Sequence, residues 1–368
     1  MTRSPDSAVE ALNVRVYTVP TDSPESDGTY AWTSTTMVLV EAHAGGKVGI
    51  GYTYADNSTA VLVREVLAKE VVGVDAMDVQ RAWEEMVHAI RNLGRPGISS
   101  MAIAAVDVAL WDLKAKLLDL SLVDLLGATR DSVPVYGSGG FTSYSIEHLQ
   151  QQLSGWVEAG IPRVKMKIGT HPDKDLERVK AARAAIGPEA DLYVDSNGAY
   201  GRKFALAQAG VFRSDCGVMW FEEPVSSDDL EGLRLIRDRA PYGMNIAAGE
   251  YGYDLWYFRR MLEAGAVDVL QADASRCAGI TGFIRAAALT ESRSMHLSAH
   301  CAPSLHVAAC CSIAKLWPIE YFHDHVRIEH MFFEGALTPK GGSLYPDRSR
   351  PGLGLELKAA DAERYRVT

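Results

Sequence analysis

The chain has 368 residues, 47% of them hydrophobic and 23% charged, with a formal net charge of −10. This length exceeds what one hydrophobic core serves, so two structural units are expected, one of them large. The acidic balance opposes a nucleic-acid surface, which needs clustered Lys and Arg to displace phosphate counterions, and no apolar run approaches the ~20 residues that cross a bilayer.

Residues 1–13 hold one basic residue and no long apolar stretch, which does not read as a secretory signal, so a cytoplasmic location is expected. Cys216, Cys277, Cys301, Cys310 and Cys311 are odd in number and lack C-x-x-C spacing. Reduced, buried thiols are therefore expected rather than disulfides or a structural zinc site.

Residues 14–19 and 37–42 are β-rich, and the second run leads through Ala44-Gly45-Gly46 into residues 48–52, a hairpin pattern. The polar stretch 21–35, with Tyr30 and Trp32 as its only large apolar residues, is long for a structureless connection. It reads as a lid over a site or as an ordinary mobile loop. Val79, Trp83, Met86, Val87 and Ile90 then recur at helical spacing, and residues 102–118 continue with an Ala-rich apolar face. Together these make an α+β unit over residues 1–128.

From residue 129 the rhythm becomes short apolar strands alternating with amphipathic helices. Strands are expected at 133–137, 163–167, 192–195, 218–222, 245–249, 267–271, 295–298 and 319–322. Between the second and third, Leu176, Val179, Ala182 and Ile186 form one apolar stripe. Eight strands joined by helical crossovers favour a closed parallel barrel over residues 129–344, an α/β fold of the TIM-barrel type. Residues 345–368, including 351–357, are expected to return to the N-terminal unit. No G-x-G-x-x-G or Walker sequence follows a strand.

Ionisable residues end consecutive strands, and in such a barrel the C-terminal strand ends share one mouth. Asp195 ends Leu-Tyr-Val-Asp, Glu222 ends Met-Trp-Phe-Glu, and Glu250 follows Ile-Ala-Ala-Gly. Three anions at adjacent strand ends call for a cation, and all-oxygen ligation suits Mg²⁺ rather than zinc.

One strand earlier, Lys165 and Lys167 alternate onto the same, inward face. Repulsion and burial are expected to lower the pKa of at least one, as a base near neutrality requires. A structural ion pair and a Schiff-base lysine of an aldolase are the alternatives.

Across the mouth, Asp273 follows the sixth strand and His300 follows the seventh, an offset suited to a carboxylate–imidazole pair. Glu320, in the eighth strand, reads as a protonated acid able to donate to a substrate carboxylate, or as a partner of groups that do. His323, Asp324 and His325 crowd beyond it, with substrate contact and packing both open. Glu223 is expected on the opposite face from Glu222, and Asn197 as a substrate hydrogen-bond donor.

These residues resemble the mandelate racemase branch of the enolase superfamily over essentially the whole chain. The helix Ala102-Ile103-Ala104-Ala105-Val106-Asp107-Val108-Ala109-Leu110-Trp111-Asp112-Leu113-Lys114-Ala115-Lys116 looks like that family's N-terminal signature, and Lys165-Met166-Lys167 like its Lys-x-Lys motif. The resemblance implies a (β/α)7β barrel with an N-terminal α+β capping domain whose 21–35 segment helps select the substrate.

By the same likeness, Lys167 is a base on one face, with Lys165 lowering its pKa and touching the carboxylate. His300, oriented by Asp273, serves the other face. Asp195, Glu222 and Glu250 match the metal ligands, Asn197 a substrate contact and Glu320 an electrophilic acid. Ser275-Arg276-Cys277-Ala278-Gly279 departs from the more usual Lys-x-Gly-Gly.

The expected chemistry is removal of the proton α to a carboxylate, with Mg²⁺ and the lysine ammonium stabilising the enolate. Dehydration of a hydroxylated sugar acid to a 2-keto-3-deoxy acid leads, with racemisation, epimerisation or lactone cycloisomerisation as the alternative. An aldolase or a non-catalytic sugar-acid binder is the rival class. The expected partner is a small carboxylate, with no nucleic acid and no membrane, in a homo-oligomer.

Overall fold

The computed structural model describes residues 7–367. The first part of the 1–13 segment, residues 1–6, lies outside them.

Three antiparallel strands, β1 (Ala11–Ser26), β2 (Ala31–Ala44) and β3 (Lys47–Tyr54), form a sheet in that order. The 21–35 stretch is therefore no structureless loop, because its two arms continue β1 and β2. Pro20 and Pro24 cannot donate to the ladder, so the register breaks between Pro20↔Ser34 and Glu25↔Trp32 as a bulge and then resumes. The turn itself is closed by Asp27, whose Oδ1 accepts the N–H groups of Thr29 and Tyr30 at 2.7 and 2.8 Å.

Helices α1 (Val79–Ala89) and α2 (Ile98–Leu117) cover this sheet. Gly49 and Gly51 let α2 sit directly on β3, since a Cβ at either would strike the helix backbone at Ala109 or Ala105. Two buried carboxylates fasten the other faces of α2. Asp107 accepts from the Thr281 N–H and hydroxyl at 2.9 and 2.7 Å. Asp112 accepts from the N–H groups of Ile50 and Leu353 at 2.7 and 2.6 Å.

The eight parallel strands are β4 (Val133–Gly139), β5 (Arg163–Lys167), β6 (Asp191–Asp195), β7 (Val218–Glu222), β8 (Asn245–Ala248), β9 (Val269–Ala272), β10 (His296–Ala299) and β11 (Ile319–Phe322). Their hydrogen-bonded order runs β10-β9-β8-β7-β6-β5-β4-β11. Backbone entering β11 closes the ring, with Leu297 N–H on the Lys315 carbonyl at 3.0 Å and Trp317 N–H on the Leu297 carbonyl at 2.8 Å.

Crossover helices surround the strands. Among them are α3 (Asp175–Ile186), with Val179, Ala182 and Ile186 buried, α4 (Gly279–Ser292), which carries Thr281, and α5 (His323–Phe332), which follows β11. Inside the barrel, Tyr136, Tyr193, Trp220, Ala247 and Val269 form a plug. Its aromatic rings fill the base, so polar side chains higher on the strands are held at the mouth.

The C-terminal segment returns to the N-terminal unit. Besides the Leu353–Asp112 bond, Thr18 N–H donates to the Tyr365 carbonyl at 2.9 Å and Val367 N–H to the Val16 carbonyl at 2.9 Å. All five cysteines are buried and unpaired. Among the described residues no helix is long and apolar enough to cross a membrane.

Candidate active site

β6 and β7 end on Asp195 and Glu222, and Glu250 lies just past β8. Gly249, at φ 138°, makes the approach of Glu250 feasible, because a Cβ there would collide with the Gln271 backbone. One oxygen from each carboxylate lies within 4.8 Å of the other two, and all three residues are buried.

Burial, then the charge of Asp195, pushes Glu222 well above the usual carboxylate range despite Lys165. Glu250 Oε2 has no hydrogen-bond partner among the described residues. A buried, mutually repelling, all-oxygen set with an orphaned lone pair fits a hard divalent cation.

β5 points both lysines at this cluster. Lys165 Nζ lies 2.6 Å from Glu222 Oε1 and 2.8 Å from Glu320 Oε1, and 5.4 Å above the Tyr136 ring. Lys167 Nζ donates to Asp195 Oδ2 at 2.5 Å and to Asn197 Oδ1 at 3.1 Å. Burial works to lower both lysines, while the carboxylates, Glu222 and Glu320 at Lys165 and Asp195 at Lys167, raise them as long as no cation shares those carboxylates.

His300 Nδ1 lies 2.8 Å from Asp273 Oδ2. Burial alone would raise Asp273, yet its bond to His300 and the nearby His300, His306 and Arg276 hold it well below the usual range. The other oxygen, Oδ1, accepts the N–H and hydroxyl of Ser275 at 2.7 Å each.

Burial favours the protonated form of Glu320, while Lys165, His300 and Lys167 pull it well below the usual range, opposite to the direction expected from burial alone. It takes the Ser138 hydroxyl at 2.6 Å and the Cys301 N–H at 3.0 Å.

Glu223 differs as well. The strand pleat ends at Glu222, and Glu223, at φ 38°, is buried with Oε1 unpartnered, lining a cavity of about 590 Å³ with Asn197 and Tyr251.

Lys167, Asn197, Glu250 and His300 line a neighbouring cavity of about 440 Å³. Its far wall comes from the β1–β2 hairpin and β3, which bring Trp32, Thr35 and Tyr54. Arg276, Tyr54 and His325 are contributions that sequence reasoning did not assign. Arg276 lies 3.5 Å from Glu250 and 3.7 Å from Asp273. Its place three residues after Asp273 was visible, but the direction of that turn was not.

His325 stacks on Tyr54 with ring centroids 3.5 Å apart, and burial plus His300 push it down to about 3, so it is neutral. His323 and Asp324 are not themselves in the cavity lining: His323 pairs with Asp22, and Asp324 accepts from Arg327 and from the hydroxyl of the lining residue Thr35.

Residues 11–127 match the mandelate racemase/muconate lactonizing enzyme N-terminal domain, and residues 148–362 match the enolase C-terminal domain-like family. The chain belongs to the mandelate racemase/muconate lactonizing enzyme family of the enolase superfamily. Within this family it is 31% identical to 3,6-anhydro-alpha-L-galactonate cycloisomerase of Streptomyces coelicolor, over 95% of this chain and 97% of that protein.

A solved mandelate racemase/muconate lactonizing enzyme-like protein from Rubrobacter xylanophilus is 56% identical with a TM-score of 0.96, covering 98% and 100% of the two chains. L-Talarate dehydratase from a Polaromonas species, solved with Mg and L-glucarate, is 30% identical with a TM-score of 0.88, covering 98% of each.

Proposed function

We propose that this protein is a Mg²⁺-dependent lyase that removes the proton α to the carboxylate of a hydroxylated sugar acid and expels the β-hydroxyl, giving a 2-keto-3-deoxy acid. The observation that carries this reading is that Lys167 and His300 line one cavity, from β5 and the end of β10, together with Glu250 of the carboxylate cluster. Likeness to a dehydratase solved with Mg and L-glucarate supports it.

Asp195, Glu222 and Glu250 would hold the Mg²⁺, which supplies the positive charge that offsets charge developing on the substrate carboxylate. Asp273 accepts a hydrogen bond from Nδ1–H, so Nε2 is the ring nitrogen that His300 turns to the cavity. Lys167 offers the second proton-transfer group. One of the two takes the α-proton and the other protonates the leaving hydroxyl. Lys165 places an ammonium beside the substrate carboxylate, Glu320 fixes Lys165 at 2.8 Å, and Asn197 offers an amide to a substrate hydroxyl.

We assign the cap to residues 1–128 with 345–368 and the barrel to 129–344, in a cytoplasmic homo-oligomer. Five unpaired cysteines support the compartment, and exposed Leu93, Ile98 and Trp256 support self-association.

A screen of aldonic and aldaric acids with Mg²⁺, read by semicarbazide trapping of 2-keto acid, tests the reaction. Deuterium entering C2 from D₂O without keto product would replace dehydration by epimerisation. Borohydride trapping of a lysine adduct would replace it by an aldolase. Cycloisomerisation is the second reading, favoured by the cycloisomerase likeness, and would appear as consumption of a lactone or anhydro-sugar acid at unchanged mass.

A further inference from the structure

A second cluster of metal-binding side chains lies outside the catalytic cavity. Asp22 and Glu25 sit where the β1–β2 register breaks, and His323 is the first residue of α5. One donor atom from each lies within 4.8 Å of the other two, and His323 Nε2 is 2.9 Å from Asp22 Oδ2.

Glu25 is only 1% exposed. Its Oε2 accepts the Trp32 indole N–H at 2.7 Å, while Oε1 has no partner among the described residues. A buried carboxylate with one oxygen left without a donor, clustered with an imidazole and a second carboxylate, is an arrangement that a cation would satisfy. The charges around it act in the same direction. Asp324 and Asp22 both face Glu25, and the nearby Arg327 guanidinium is committed to Asp324 and to the Pro20 carbonyl.

We propose that Asp22, Glu25 and His323 form an accessory site for a first-row transition-metal cation of the Zn²⁺ type, clamping the β1–β2 hairpin to α5. The donor set decides the metal class. Mixed imidazole and carboxylate ligation suits Zn²⁺, whereas the all-oxygen set of Asp195, Glu222 and Glu250 suits Mg²⁺. The clamp joins two walls of the substrate cavity, since the hairpin carries Trp32 and α5 carries His325. It stands on these contacts alone and does not depend on which reaction the cavity performs.

The test is Zn²⁺ titration, by calorimetry and by metal analysis after buffer exchange, with Mg²⁺ in excess. Wild type is compared with Asp22→Asn, His323→Gln and Cys301→Ser. The last variant controls for Zn²⁺ taken up by His300, Cys301 and Glu320, another cluster of donors. Both Asp22→Asn and His323→Gln are expected to weaken Zn²⁺ binding by more than the ~10–100-fold that loss of a group merely steadying a ligand costs. Cys301→Ser should retain the site.

Zn²⁺ should also slow amide exchange across residues 20–35 in wild type but not in Asp22→Asn or His323→Gln, whose Mg²⁺ affinity stays at the wild-type value and shows the fold intact. Zn²⁺ affinity within twofold of wild type in both variants overturns the proposal. So does a wild type whose only bound Zn²⁺ disappears in Cys301→Ser.

Discussion

His300 Nδ1 faces Asp273 Oδ2 at 2.8 Å, and Asp273 is spoken for on its other oxygen by Ser275. An ionised carboxylate can only accept, so the pair fixes which imidazole nitrogen carries the proton and which faces the cavity.

Asp273→Asn keeps the shape and can present its amide N–H to Nδ1, which moves the ring proton to Nε2. A loss of about 10²–10⁴ in kcat is expected, the range of positioned acid–base catalysis, with a changed acidic limb of the pH–rate profile. His300→Asn should abolish turnover and leave Mg²⁺ binding in place. Full activity of either variant in a steady-state assay would remove the dyad from the mechanism.

Metal removal should stop turnover, and Mg²⁺ should stabilise the fold because the carboxylate cluster exists only when β6, β7 and β8 are assembled. At roughly one hundred times its dissociation constant the ion should add about 2.7 kcal/mol. Glu250→Gln removes one charge from the set, so its melting temperature should rise much less on adding Mg²⁺. An EDTA-insensitive activity would count against this centre.

Asp112 holds together three parts of the chain, α2, β3 through Ile50 and the C-terminal segment through Leu353. Asp112→Ala leaves two N–H groups without their acceptor and the Lys116 ammonium with only the Val48 carbonyl. A loss of about 3–5 kcal/mol is expected in urea unfolding. A change below about 1 kcal/mol would show that water replaces the carboxylate there.

Glu329 links α5 to the cap by accepting the Tyr52 hydroxyl at 2.6 Å, and burial pushes it up to about 7. Between about 4.5 and 7 the native state keeps a proton that the unfolded chain has released. This group therefore lowers stability as pH rises through that window and makes no further difference above it. Glu329→Gln should remove that decline, gaining on the order of 3 kcal/mol relative to wild type at pH 8 over pH 4.5 at ~1.4 kcal/mol per tenfold change in proton affinity. Denaturant unfolding at the two pH values measures it, and a pH-independent difference between the proteins would refute it.

The amino-acid sequence by itself determined the eight strands, because strand and helix periodicities are local and the βα units repeat at nearly constant length. It also determined that Asp195, Glu222 and Glu250 crowd one mouth, since successive parallel strands must end on the same side. The His300–Asp273 pairing has the same origin, as neighbouring strands β9 and β10 fix that offset.

Only the tertiary structure decided the charge states, because they depend on distances between groups far apart in the chain. Lys165 sits 2.8 Å from Glu320, two strands away beyond β4, and this contact raises the lysine and lowers the acid, against the protonated state expected for Glu320 from the sequence. The stretch 21–35 was likewise beyond local reading. Its strands exist because β1 and β2 pair through a bulge, and its contacts with His323 and the cavity arise only when the cap docks on β11 and α5.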